Sequence, residues 1–334
     1  MTAAGTLHDV CPLPRELWPA GARRGFRIRF RSRDGVTSGS VFFPEASGHA
    51  AESPLLTWAH CFLGLDRHNM PSRRGLPGAE LKHLSAWLRR GFAVAAPDYE
   101  GLDGCGISPF PAPDGIAHDV VTICLAAQEL DDSVGSAVVA GGFCQGAAAV
   151  LHATVPPHLR ARLDHRATVA LSPPDYAAYF QHVTRDPDFP ADALVLTLLA
   201  GTRSADPRLC PEEFLTCEGK EMLDAATSHS VPELRTLLAP YTVADLGIQD
   251  IARHPALAEA FERSADVPPA AANRVLLASV AGDPTVPPDH LRRITERVAA
   301  HGCEVAQASY AGRHMDVLSL AASDAVRWAA ECTG

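Results

Sequence analysis

The chain has no block of five or six like charges, no cysteines spaced C-x-x-C, and no apolar run approaching the ~20 residues of a membrane helix. Its longest strongly apolar stretch, residues 193–200, is far too short to span a bilayer, so no membrane span is expected. Lys and Arg number 29 against 39 Asp and Glu, a net charge of −10, and such a surface repels phosphate backbones and anionic lipid. Nucleic acid is therefore not an expected partner. The nine cysteines follow neither a disulfide framework nor a zinc-knuckle pattern, and most are expected as small buried hydrophobes. The first residues carry no basic start followed by an apolar stretch, which predicts no secretory signal and a cytoplasmic protein. Internal repeats and low-complexity segments are also missing. What remains is an ordinary globular composition, 47% hydrophobic and 20% charged. At ~150 residues per domain, 334 residues suit two units, or one large domain with an insertion.

Eight short β-rich runs are spaced along the chain, at 27–30, 41–43, 55–59, 92–96, 137–140, 167–171, 275–280 and 304–310. Between them Leu81, Leu84 and Leu88 repeat with helical spacing, as do Val120, Ile123, Ala127 and Leu130, and later helices are expected at 288–300 and 317–331. Alternating helices and continuously apolar strands imply an α/β architecture, a mostly parallel eight-stranded sheet with helices on both faces. The first two strands, joined without a helix, make an antiparallel start. The alternation fails between about Asp175 and Pro269, where runs at 194–200, 211–226, 231–238 and 255–264 read as helices separated by Pro-containing breaks. This divides the chain into a core (1–174), an inserted helical cap (175–269) and the rest of the core (270–334), with an independent second domain as the alternative.

After the run at 137–140 comes Gly141-Gly142-Phe143-Cys144-Gln145-Gly146-Ala147, the pattern G-x-S-x-G with cysteine at the nucleophile's position. In such a turn the central residue is strained between strand and helix, and small neighbours let the chain fold back. The following helix presents its positive end to the thiol, which favours thiolate. The alternative is a tight Gly-rich turn around an inert cysteine. A nucleophile of this kind needs an acid and then a histidine further along. Asp283 follows the run at 275–280 and His314 follows the run at 304–310. Either alone is an ordinary loop residue, but together and in order they assign Cys144 to attack, His314 to move the proton and Asp283 to fix the imidazole. An oxyanion hole needs the N–H of Gln145 and a second from the segment Trp58-Ala59-His60-Cys61-Phe62-Leu63-Gly64, from Phe62 or Cys61. In that segment His60 is expected to buttress the loop rather than bind metal.

These segments, with Pro97-Asp98-Tyr99-Glu100-Gly101-Leu102-Asp103, resemble the W-A-H-G-T-T-G, P-D-Y-x-G-L-G and G-H-S-Q-G-G motifs of the secretory-lipase-like group in the α/β-hydrolase superfamily. The resemblance spans roughly residues 25 to 330. It implies an α/β-hydrolase fold with an eight-stranded sheet, a helical cap over the site, no cofactor, and cleavage of carboxylic esters. Cysteine stands where the group has serine, and Cys61, Asp103 and Ala147 stand where it has glycines. Similar Cys-His-Asp enzymes, the dienelactone hydrolases, hydrolyse lactones, and others similar in outline tailor polyketides, including by eliminating acetate from acetylated tetronates. The sequence thus points to an enzyme acting on an acyl ester of a small apolar molecule, most simply by hydrolysis. A lyase or acyl transferase in natural-product tailoring, or a silent binding module, are the alternatives. His60, Phe143 and Tyr99 are the core's candidate pocket residues, although an end-of-strand turn also accounts for Asp98, Tyr99 and Glu100. The cap, through Phe180, Phe214 and Tyr241, is expected either to line an apolar pocket or to pack on itself.

Overall fold

The computed structural model describes residues 4–33, 35–45, 52–65, 67–102, 107–249, 251–264 and 274–334. Among these residues nine strands form one sheet: β1 (Leu7–Pro12), β2 (Ala22–Arg31), β3 (Val36–Pro44), β4 (Ser53–Ala59), β5 (Ala93–Pro97), β6 (Val134–Phe143), β7 (Asp164–Leu171), β8 (Arg274–Val280) and β9 (Glu304–Tyr310). Their order is β1-β2-β3-β5-β4-β6-β7-β8-β9. Strands β1, β2 and β3 pair antiparallel, as does β3 with β5, and every later pairing is parallel. The expected count of eight is corrected to nine. The strand without a sequence signal is β1, whose LHDVCP is mostly exposed and so carries no apolar alternation.

Apolar residues of β4 divide between the two faces. Leu55 and Ala59 join the cluster under the helices Asp114–Leu130, Gln145–His152 and Pro288–Ala300, while Leu56 and Trp58 join the one under Gly78–Arg89 and Ala322–Thr333. Burial on both faces explains why the central strands read as unbroken apolar runs. A third cluster lies among the helices between β7 and β8, Tyr176–Thr184, Ala193–Ala205, Cys217–Ala225, Val231–Leu238 and Pro255–Ser264. Phe180 is fully buried there against Phe261, and Phe214 stacks on His254 at 3.9 Å. Phe180 therefore packs among these helices, the second of the two expectations for the cap. The inserted segment's expected end at Pro269 and the substituted position Asp103 lie outside the described residues.

The chain runs from β4 to β5 on one side, then returns to place β6 on the other side of β4. The crevice at the carboxyl ends of two such parallel strands is where open α/β sheets bind ligands. Here Ala59, at the end of β4, sits level with Gly142 in β6. The two ends approach so closely that a Cβ on Gly146 would fall 1.9 Å from the Ala59 carbonyl oxygen, which is why that position has none.

Candidate active site

Cys144 bridges β6 and the helix Gln145–His152 with φ 53 and ψ −114, a conformation that costs a non-glycine residue roughly 1–3 kcal/mol and persists only where the surroundings enforce it. Its N–H is fixed by the Leu171 carbonyl at 3.0 Å. The residue is half-buried, so the thiol keeps access to the crevice.

Two loops from the far end of the sheet meet beside it. His314, at the start of a short helical turn after β9, donates from Nδ1 to Asp283 Oδ2 at 2.5 Å. Thr285 holds the other carboxylate oxygen, Oδ1, through its hydroxyl at 2.7 Å and its N–H at 3.0 Å. The imidazole packs against Phe143, ring centres 4.9 Å apart. With Nδ1 engaged by the carboxylate, Nε2 is left facing the site, buried and without a conventional hydrogen-bond partner. Burial by itself lowers the affinity of His314 for a proton. The ring's interactions with the neighbouring Cys144 sulfur and the hydrogen-bonded Asp283 outweigh it and raise the pKa to about 10. Burial likewise works to raise Asp283, but the His314 hydrogen bond and charge and the Thr285 donors hold it below the usual carboxylate range.

The segment after β4 is braced from behind. His60 is fully buried, with its ring stacked on Tyr99 at 3.9 Å and Nδ1 on the Cys61 carbonyl at 2.6 Å. Tyr99, at φ 82, donates its hydroxyl to the His60 carbonyl at 2.7 Å. Burial lowers the His60 pKa to about 4, so the ring is neutral. His60, Tyr99 and Phe143, the candidate pocket residues, are each 1% exposed or less: His60 and Tyr99 stack behind the loop after β4, and Phe143 lies under the His314 ring. Asp98 is buried too. It accepts from the Ser38 hydroxyl at 2.5 Å and from Ser72 N–H at 2.7 Å, which ties β3 to the segment after Met70.

One residue here was not singled out from the sequence. Glu80, fully buried on the helix Gly78–Arg89, accepts Trp58 Nε1–H at 2.6 Å and Cys61 N–H at 3.2 Å. With Cys61 N–H committed to Glu80, Phe62 N–H is the free backbone donor of that pair, since no hydrogen bond of the described residues uses it. The Phe62 ring anchors the loop by stacking on Phe110 at 4.5 Å. Opposite lies Gln145 N–H, in a first helical turn whose N–H groups have no intrahelical acceptor. The available signal for Glu80 was an acid in line with buried Leu84 and Leu88 on one helix face. Replacing Glu80 by leucine orphans two buried donors at ~1–3 kcal/mol each. It is expected to lower the free energy of urea unfolding by about 2–6 kcal/mol. An unchanged urea midpoint would mean that the loop is held some other way.

No family model and no curated protein sequence matches the chain. Among solved structures, it is similar to lipase A of Candida antarctica, with a TM-score of 0.79 and 16% identity over 100% of this chain and 83% of that one. It is also similar to the rice cell wall degrading esterase LipA of Xanthomonas oryzae, with a TM-score of 0.77 and 16% identity over 99% and 98% of the two chains. The fold is that of the α/β-hydrolases. Among the described residues no helix is long and apolar enough to cross a membrane, and no group of three or more His, Cys, Asp and Glu side chains could hold a metal ion.

Proposed function

We propose that this chain is an enzyme that hydrolyses a carboxylic ester of a small, mostly apolar molecule through Cys144, His314 and Asp283. The observation that carries this reading is the strained cysteine at the switch point of the sheet, beside a histidine whose Nδ1 is held by Asp283 at 2.5 Å. In the first half-reaction the Cys144 thiolate adds to the acyl carbon, and the carbonyl π pair moves onto oxygen, facing Gln145 N–H and Phe62 N–H. Collapse expels the alkoxide, which takes its proton from the His314 imidazolium and leaves a thioester on Cys144. The now neutral imidazole accepts a proton from water as it adds to the thioester, and sulfur departs as the acid forms. Asp283 remains ionised throughout, fixing the tautomer and stabilising the imidazolium. The helices between β7 and β8 act as a cap that sets which esters reach the thiol.

Mixing the protein with a chromogenic acyl ester and recording its intact mass tests this directly. The expected result is a transient mass increase of one acyl group on Cys144, decaying with release of the free acid. Turnover without any adduct would overturn the covalent route, and an adduct that passes only to added alcohols or amines would make the protein a transferase.

A further inference from the structure

The turn that leaves β7 rises beside the nucleophile. Leu171 is level with Phe143 in the sheet and accepts the Cys144 N–H, so the next residues, Ser172-Pro173-Pro174-Asp175-Tyr176, stand next to the elbow. The turn is held at several points. Ser172 is fully buried at φ 50, with its N–H on the Ala278 carbonyl at 2.7 Å. Asp175 N–H donates to the Thr285 carbonyl at 2.8 Å, tying the turn to the loop that carries Asp283. The Asp175 carboxylate caps the helix at Ala178 N–H, 2.9 Å, and takes Arg293 at 2.7 Å.

Tyr176 opens that helix. Its ring stands edge-on to Phe110, 5.1 Å between centres, and Phe110 in turn stacks on Phe62 of the oxyanion segment. Tyr176 is 1% exposed, and its hydroxyl is buried with no hydrogen-bond partner among the described residues. Buried tyrosine hydroxyls are ordinarily paired, so this one is a donor awaiting an acceptor. Burial, with both the Cys144 and Cys61 thiols within electrostatic reach, keeps it a neutral phenol. Tyr176 is thus tied by the chain to the turn beside the nucleophile and, through Phe110, to the loop whose Cys61 N–H is engaged by Glu80.

We propose that the Tyr176 hydroxyl donates to the acyl oxygen of the bound ester, as a third donor of the oxyanion site alongside Gln145 N–H and Phe62 N–H. This rests on the proposed hydrolysis at Cys144. As the sulfur–carbon bond forms, the carbonyl π pair moves to oxygen, and the phenol stabilises that charge without giving up its proton.

The test compares Tyr176→Phe with the wild-type chain, using a chromogenic ester and a trifluoromethyl ketone that adds to a thiolate to give a bound oxyanion. Expected are a kcat about 10- to 100-fold lower with KM changed by less than about twofold, and a matching loss of affinity for the ketone. The thermal midpoint should stay level or rise, because the hydroxyl removed has no partner in the folded chain. Equal kcat and ketone affinity in the variant overturn the proposal, as does a raised KM at unchanged kcat, which would make the phenol a ground-state contact. A fall in midpoint or failure to fold assigns the hydroxyl to packing and also overturns it. If the wild-type chain takes neither acyl group nor ketone at Cys144, the hydrolysis reading itself falls, and the role of Tyr176 with it.

Discussion

Replacing Cys144 by alanine is expected to lower ester turnover by about 10³-fold or more, because a side chain acting as one unit with its base carries the chemical step. The same change removes the thiolate that does most to raise His314, so the imidazole should titrate well below its wild-type value of about 10. Steady-state kinetics and the histidine ring signals in NMR follow the two effects separately. Turnover that survives in Cys144→Ala but vanishes in His314→Ala would instead identify the imidazole as a base removing a proton α to a carbonyl, with the thiol a bystander.

The second large effect concerns Asp283. An asparagine there preserves the shape but can donate to Nδ1, which turns the wrong nitrogen of His314 toward the thiol. By comparison with other triads kcat should fall by about 10⁴-fold. The pH dependence follows from the directions of the two shifts. His314 is raised above its unfolded value of ~6.5, so the interactions that hold its imidazolium contribute fully below that pH and are lost as pH rises through about 10. Asp283 is depressed, so its contribution is present above the unfolded carboxylate value and is lost as pH falls through the folded one. Wild-type activity should accordingly follow a bell whose alkaline limb lies near 10 and belongs to the coupled pair, while Asp283→Asn draws that limb downward. A limb that stays put in the variant would dissociate the carboxylate from the catalytic base.

The elbow was legible from residues 141–147 because its requirements are local: small neighbours around one strained position, between a β run and a helical run. Asp283 and His314 were legible from their order and their placement after β-rich runs. The residues behind the loop were not. Tyr99 at φ 82 and the stacking of His60 upon it depend on where β4 and β5 come to rest side by side, which no spacing along the chain encodes. Glu80 reaches Cys61 from a helix on the other side of the β4 loop, and only its position among buried leucines hinted at it. Strand β1 left no pattern because it is an edge strand with exposed side chains, held chiefly by its ladder to β2. Which of Cys61 and Phe62 keeps its N–H unengaged turned on a single hydrogen bond, from Cys61 to Glu80 on another segment.

The proposed nucleophile and its two proposed partners hang from unequal supports. Cys144 rises from the interior of the sheet, whereas His314 follows β9, a border strand half open to solvent that pairs, among the described residues, with β8 alone. Fraying of that margin would part His314 from Cys144 while the remainder stays folded, so the proposed activity should be lost to heat or denaturant before the chain melts.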